Sequence, residues 1–295
     1  MTPAEVFEAL HRDLPQHAPG SDASTLRALS LVPGLRGEPA ILDLGCGLGR
    51  QTLALARATR GRVTAVDISP GFLAGLARRA RDAGLAERIA TCCGSLDALR
   101  LPDASFDLAW SEGALYTVGF ETGLRVAHRL LRPGGALAAT ELCWLEDDPP
   151  EAARAFWREA YPAMSSREAR RRAIGAAGFT LQGDFVLPES DWWVGYYAQL
   201  EPRIAALRAH AGDRAARAAL DTAQREIDLF RAHSGAYGYV FFVARRSDSR
   251  RQPGPDQRQE PATTGDGVPV QHSQSWCTAR VAPTWRRRRA SGVSG

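Results

Sequence analysis

Three glycines at alternate positions, Gly45, Gly47 and Gly49, close the apolar run Ile41-Leu42-Asp43-Leu44, which holds one acid, Asp43. A second apolar run, Val63-Thr64-Ala65-Val66, ends on Asp67. A buried strand that enters a glycine turn and then a helix lets the backbone lie flat against a nucleoside. A carboxylate ending the next strand can then accept both ribose hydroxyls. The pair points to a ligand that contains adenosine. A dinucleotide fingerprint, Gly-x-Gly-x-x-Gly, needs a small third residue for close packing of helix on strand. Counted from Gly45 and Gly47, that place holds Arg50. Asp43 would repel a pyrophosphate, whereas it suits a ligand carrying an ammonium or a sulfonium. Gly45 and Gly47 permit close backbone approach, and Cys46 is the small residue between them. Asp43 orients the loop or meets the ammonium, Asp67 takes the ribose, and Ile68 covers one face of the adenine. Ser69-Pro70 supplies the start signal of the following helix, which leaves Asp67 free for the ligand.

The elements that must position these residues follow from periodicity. Two helices, near 2–13 and 22–31, flank Pro15, Pro19 and Gly20. Strands near 39–44, 62–67, 88–93, 105–111 and 135–141 then alternate with helices near 50–59, 71–83 and 119–130. Such alternation implies a parallel sheet with helices on both faces. Pro133-Gly134-Gly135 reads as the tight entry to the fifth strand. Helices near 151–160 and 165–177 precede a strand near 179–187. Residues 188–233 break the alternation with a Trp/Tyr-rich loop and two Ala/Arg-rich helices, and Tyr237–Val243 is a final apolar strand. The organisation expected is an N-terminal helical lid (1–36), a main domain (37–246) with an insertion at 188–233, and a disordered Arg/Pro/Gly-rich tail (247–295).

Composition narrows the partners. The chain has 37 basic residues, all arginine, against 33 acids. Eight arginines and four acids lie from Ser247 onward, so residues 1–246 balance at 29 to 29. The body has no charge surplus for nucleic acid or an anionic membrane, and the absence of lysine excludes a Schiff-base mechanism. Five cysteines show no metal spacing and read as buried free thiols, and no metal site is expected. No run reaches the roughly 20 apolar residues of a membrane span, and the N-terminus carries acids, so a cytoplasmic protein is expected. Arg170-Arg171-Arg172 reads as an exposed helix face and His128 as solvated. Asp148-Pro149-Pro150 and Arg286–Arg289 carry no function.

The string Asp43-x-Gly45-x-Gly47-x-Gly49 resembles the first motif of class I S-adenosylmethionine-dependent methyltransferases. Most of 17–246 is further similar to bacterial small-molecule methyltransferases of the ubiquinone/menaquinone-methylase-like (type 11) group. The strings that carry this are Gln51-Thr52, Gly94-Ser95-Leu96-Asp97, Trp110-Ser111-Glu112-Gly113-Ala114-Leu115-Tyr116, Ala160-Tyr161-Pro162, Leu187-Pro188-Glu189 and Tyr237-Gly238-Tyr239-Val240-Phe241. The resemblance implies an α/β, Rossmann-like sheet of seven strands, mostly parallel, with the last antiparallel. It implies S-adenosyl-L-methionine as cofactor and Ser95 and Leu96 on the adenine. Ser111 faces the methyl group, with Glu112 as base or orienting group and Tyr116 stacking or hydrogen-bonding to the acceptor. Trp144, Trp192 and Tyr196 would form an aromatic lid over the substrate. Relatives tend to carry a histidine in the Trp192–Tyr197 segment where this chain has Gly195. The implied reaction is in-line methyl transfer to a small, partly apolar acceptor by a monomer or homodimer. The alternatives are a non-catalytic cofactor-binding protein and a nucleic-acid methyltransferase.

Overall fold

The computed structural model describes residues 2–12, 14, 16–35 and 37–247. The expected tail from 248 onward, with Cys277 and Arg286–Arg289, lies outside the described residues.

The chain opens with α1 (Pro3–His11) and α2 (Asp22–Ser30). Alternation follows as β1 (Ala40–Leu44), α3 (Arg50–Ala58), β2 (Arg62–Asp67), α4 (Pro70–Asp82), β3 (Ile89–Cys93), β4 (Phe106–Ser111), α5 (Phe120–Leu130) and β5 (Leu131–Trp144). Then come α6 (Glu151–Ala160), the two-residue β6 (Ser165–Ser166), α7 (Arg167–Ala176) and β7 (Phe179–Val186). The end is formed by α8 (Glu189–Trp192), a π-helical turn at Trp193–Tyr197, α9 (Ala198–His210), α10 (Arg214–His233) and β8 (Tyr237–Arg246). The sheet order is β3-β2-β1-β4-β5-β8-β7, with β6 beside β5. Only β8 runs against its neighbours β5 and β7, so the fold is the expected Rossmann-like α/β sheet.

β1 is a continuous apolar run because both faces are covered: Ile41, Leu42 and Leu44 are wholly buried. Alternate residues feed two layers. Ile41, Leu108, Trp110, Ala138 and Phe241 pack under α2, α3 and α4, and Leu42, Ala109, Leu137, Ala139 and Phe242 pack under α5 and α7. A third cluster joins α1, α6, α9 and α10 around Trp192, Phe230 and Tyr237. The strand order reverses between β1 and β4, so the carboxyl ends of these strands open a crevice where ligands of such sheets bind. The register Asp43↔Trp110 brings the glycine turn and the Ser111-Glu112 segment side by side there.

Three local expectations are corrected. Pro133-Gly134-Gly135 lies inside β5, where the pairing jumps from Phe106↔Leu131 to Leu108↔Ala136, so these residues form a bulge instead of an entry turn. Ser165-Ser166 is extended beside β5, because Ser166 caps α7 by accepting from Ala169 N–H. The Trp/Tyr-rich segment is helical throughout, running from α8 through the π turn into α9.

Candidate active site

The glycine turn is pinned to β2, since the N–H groups of Gly45 and Cys46 both donate to Val66 O at 2.9 Å. Gly45 has φ +75°, and a Cβ there would lie 2.2 Å from Ala114 Cβ. Only glycine lets the turn after β4 lie flush against the turn after β1. Gly49 meets Leu76 of α4 in the same way, at 2.2 Å, so it serves helix packing.

Asp67 braces the glycine turn and the start of α4. Its Oδ2 accepts from Gly47 N–H and its Oδ1 from Ser69 N–H, each at 2.9 Å. Each carboxylate oxygen has a second acceptor site, so capacity for two hydroxyls remains. The neighbouring Ile68 stands 71% exposed, a large apolar side chain with bare surface next to a fixed carboxylate. At the end of β3, the Ser95 hydroxyl donates to Asp97 and Leu96 is buried.

Asp43 lies wholly buried beneath the turn. Burial pushes its carboxyl up to about 7, opposed by the Thr52 hydroxyl and the Gln51 amide that donate to it. Gln51 and Thr52, in the first turn of α3, reach back across the glycine turn to this acid. Burial also pushes the Cys46 thiol far above its usual range.

The segment after β4 departs from expectation. Ser111 is wholly buried and donates to Leu44 O at 2.8 Å. A buried hydroxyl needs an acceptor, and this one ties β4 to β1 instead of facing the crevice. Glu112 has both oxygens engaged. Oε1 accepts from Thr25 Oγ1 at 2.7 Å and Trp110 Nε1 at 2.8 Å, and Oε2 accepts from Arg50. Arg50 also reaches Asp22 at 3.1 Å and Thr25 Oγ1 at 3.2 Å. A carboxylate with three donors in place ties α2 to the turn after β4, so Glu112 is not a free base here. Arg50, noted in the sequence only as too large for a dinucleotide turn, is the missed member of this latch.

The aromatic residues divide. Tyr116 is half-exposed, its ring edge-on to Tyr161 at 5.9 Å. Trp144 is half-buried against Tyr237. Trp192 is 2% exposed and stacks on Phe230 at 4.2 Å, which makes it core and removes it from the expected lid. Tyr196 is also buried, and its hydroxyl pairs with His11 Nε2 at 3.1 Å. His11 Nδ1 meets Phe7 O, which assigns the proton to Nδ1. Burial pushes His11 down to about 4. Gly195 abuts residue 16: a Cβ there would sit 2.6 Å from Gln16 Nε2. Tyr239, read from sequence only as strand core, brings its hydroxyl within 3.9 Å of a Cβ position on Gly113.

Other expectations change as well. Arg170 is 4% exposed and pairs with Glu121 at 3.0 Å and Glu141 at 3.4 Å, while Arg171 and Arg167 clamp Asp184. The proposed exposed face is reduced to Arg172. His128 is half-buried, edge-on to Phe179. Cys46 and Cys143 are buried free thiols, Cys92 is half-buried and Cys93 is exposed. Among the described residues no group of three or more His, Cys, Asp or Glu is placed to hold a metal ion. None of their helices is long and apolar enough to cross a membrane.

Known proteins share this arrangement. Residues 41–135 match a family model described as a methyltransferase domain. The chain is 31% identical over 235 residues to the 27-O-demethylrifamycin SV methyltransferase of Amycolatopsis mediterranei, covering 76% of this chain and 83% of that one. It is 34% identical over 149 residues to a malonyl-[acyl-carrier protein] O-methyltransferase of Dechloromonas aromatica, a match that spans 47% of this chain and about half of that protein (51%). A solved S-adenosylmethionine-dependent methyltransferase from Geobacter sulfurreducens, in complex with S-adenosyl-L-homocysteine, has the same fold. Its TM-score is 0.68 at 22% identity, over 81% of this chain and 97% of that one. The chain belongs to the class I S-adenosylmethionine-dependent methyltransferases, in their small-molecule (type 11) group.

Proposed function

We propose that this protein transfers the methyl group of S-adenosyl-L-methionine to a small, partly apolar acceptor by in-line displacement. The carrying observation is the Gly47–Asp67 hydrogen bond beside exposed Ile68, above buried Asp43, at the β1/β4 reversal. This donor and acceptor set fits an adenosyl ligand with a cationic amino acid end. Asp67 holds the ribose, Ile68 and Leu96 cover the adenine, and Ser95 bonds its edge. Asp43 sets the potential beneath the methionine part. Bound S-adenosylmethionine brings a methyl group already activated on a sulfonium. The chain's own residues therefore supply alignment and exclusion of water, effects worth up to roughly 7–11 kcal/mol. Helices α1 and α2 act as the lid, latched by Arg50 and Glu112, and Tyr116, Trp144 and Tyr239 face the acceptor. The charge balance of residues 1–246 favours a small molecule over nucleic acid. A relative whose name specifies 27-O-demethylrifamycin SV supports a small-molecule acceptor.

Calorimetric titration of the full chain with S-adenosylhomocysteine, with NAD as control, tests this. Micromolar binding of the former alone, lost in Asp67→Ala, is expected. Equal binding of NAD, or no binding of S-adenosylhomocysteine, would sink the reading.

A further inference from the structure

One buried ionisable cluster has no part in cofactor binding. Glu141, near the end of β5, is 1% exposed. Its Oε1 accepts from the Tyr161 hydroxyl, and Arg170 Nη2 lies 3.4 Å from the same oxygen. Arg170 Nη2 is also 3.4 Å from Tyr161 Oη and donates to Ala163 O, while Nη1 pairs with Glu121. Three elements thus converge on one carboxylate: β5, the chain leaving α6, and α7. Desolvation offsets most of the attraction in such a pair, so apolar packing would stabilise the fold equally well.

The cluster's position suggests its use. The ring of Tyr161 meets the edge of half-exposed Tyr116. Tyr116 belongs to the turn whose Ala114 lies flush on Gly45 of the cofactor turn. Ring contact through Tyr116 and Tyr161 therefore links the turn beside the cofactor loop to Glu141.

The geometry points to Tyr161 as the catalytic group that takes the acceptor's proton while passing its own to Glu141, and hence to an acceptor carrying an ionisable hydroxyl. This rests on the methyltransferase reading. The oxygen–methyl bond forms as the sulfonium–methyl bond breaks, and that electron pair stays on sulfur. The acceptor's proton moves to Tyr161 Oη, and the Tyr161 proton moves to Glu141 Oε1. Arg170, beside both oxygens, stabilises negative charge passing between them, which an oxygen acid requires and a cationic amine does not. Tyr161, Arg170 and Glu121 are the titratable or charged groups bearing most on Glu141. Burial pushes Glu141 up to about 7, a proton affinity matched to neutral solution. Burial and the adjacent Glu141 hold Tyr161 above the usual phenol range, so it relays a proton without standing ionised.

The test uses the full chain as wild type, Tyr161→Phe and Glu141→Gln. Infrared titration without cofactor should show the carboxylic-acid bands of Asp43 and Glu141 disappearing near pH 7 in wild type, with the Glu141 band missing and the Asp43 band retained in Glu141→Gln. Methyl transfer from S-adenosylmethionine is then compared between 4-methylphenol and 4-nitrophenol, which ionises far more readily. Tyr161→Phe should slow transfer to 4-methylphenol by about 10²-fold or more, the usual scale of a lost acid–base group. It should barely slow transfer to 4-nitrophenol and leave S-adenosylhomocysteine affinity unchanged. Equal slowing of both phenols, wild-type and Glu141→Gln spectra with the same bands near pH 7, or methylation of amines but of no phenol would overturn the inference. Loss of S-adenosylhomocysteine binding by wild type itself would overturn the methyltransferase reading beneath it.

Discussion

Arg50, the first residue of α3, is ion-paired with Glu112 in the turn after β4, and both side chains are largely buried, at 13% and 4% exposure. The pair ties α2 to the turn after β4 through Thr25 and Asp22. Removing one partner of a buried pair leaves the other charge uncompensated. Glu112→Ala is therefore expected to destabilise the fold towards the lower end of about 3–5 kcal/mol, because the Trp110 N–H loses its acceptor and Arg50 keeps only half-exposed Asp22. Urea unfolding measures this. Glu112→Gln, which keeps the acceptor for Trp110 and Thr25, should cost less and retain measurable methyl transfer. Abolished activity in a Glu112→Gln variant that folds and binds S-adenosylhomocysteine normally would instead return Glu112 to the role of base.

Much of this was legible in the sequence, for identifiable reasons. The sheet could be read because β1, β2 and β4 are apolar on both faces and the glycine spacing is tied to a backbone turn. Asp43, Gly45, Gly47 and Asp67 could be singled out because they are local to that turn. The roles of Ser111, Glu112 and Arg50 were not legible, because they depend on Leu44, Thr25 and Asp22, residues 67, 87 and 28 positions away. Arg170 looked solvated because a run of arginines carries no sign of which one faces inward. Its burial is decided by Glu121 and Glu141 on two other elements.

The aromatic residues after β5 and β7 separate into packing and candidate acceptor roles by burial. Trp192, stacked on Phe230 within the third cluster, should cost about 3–5 kcal/mol when replaced by alanine, lowering the melting temperature without a selective effect on acceptor KM. Trp144→Ala, at a half-buried edge, should cost less stability and raise the acceptor KM several-fold. If Trp192→Ala folds as stably as wild type while losing acceptor binding, Trp192 belongs to the lid after all.

Asp43 is expected to make both stability and cofactor affinity depend on pH. Unfolded, its carboxyl releases a proton near 3.8; folded, burial delays this to about 7. Between these values the folded state binds the extra proton, so stability should fall as pH rises through the interval and level off above it. Glu141 contributes a slope of the same sign from 4.5 to about 7, so Asp43→Asn should flatten the dependence without abolishing it. Ligand binding should run the other way. S-adenosylhomocysteine carries an ammonium, and a cation near Asp43 favours the ionised carboxylate. Binding then releases a proton, and affinity should weaken as pH falls below about 7. Calorimetry in buffers of different ionisation enthalpy measures that release directly. An affinity flat across this range, or a slope retained in Asp43→Asn, would mean that Asp43 only braces the loop through Thr52 and Gln51 and does not sense the ligand's charge.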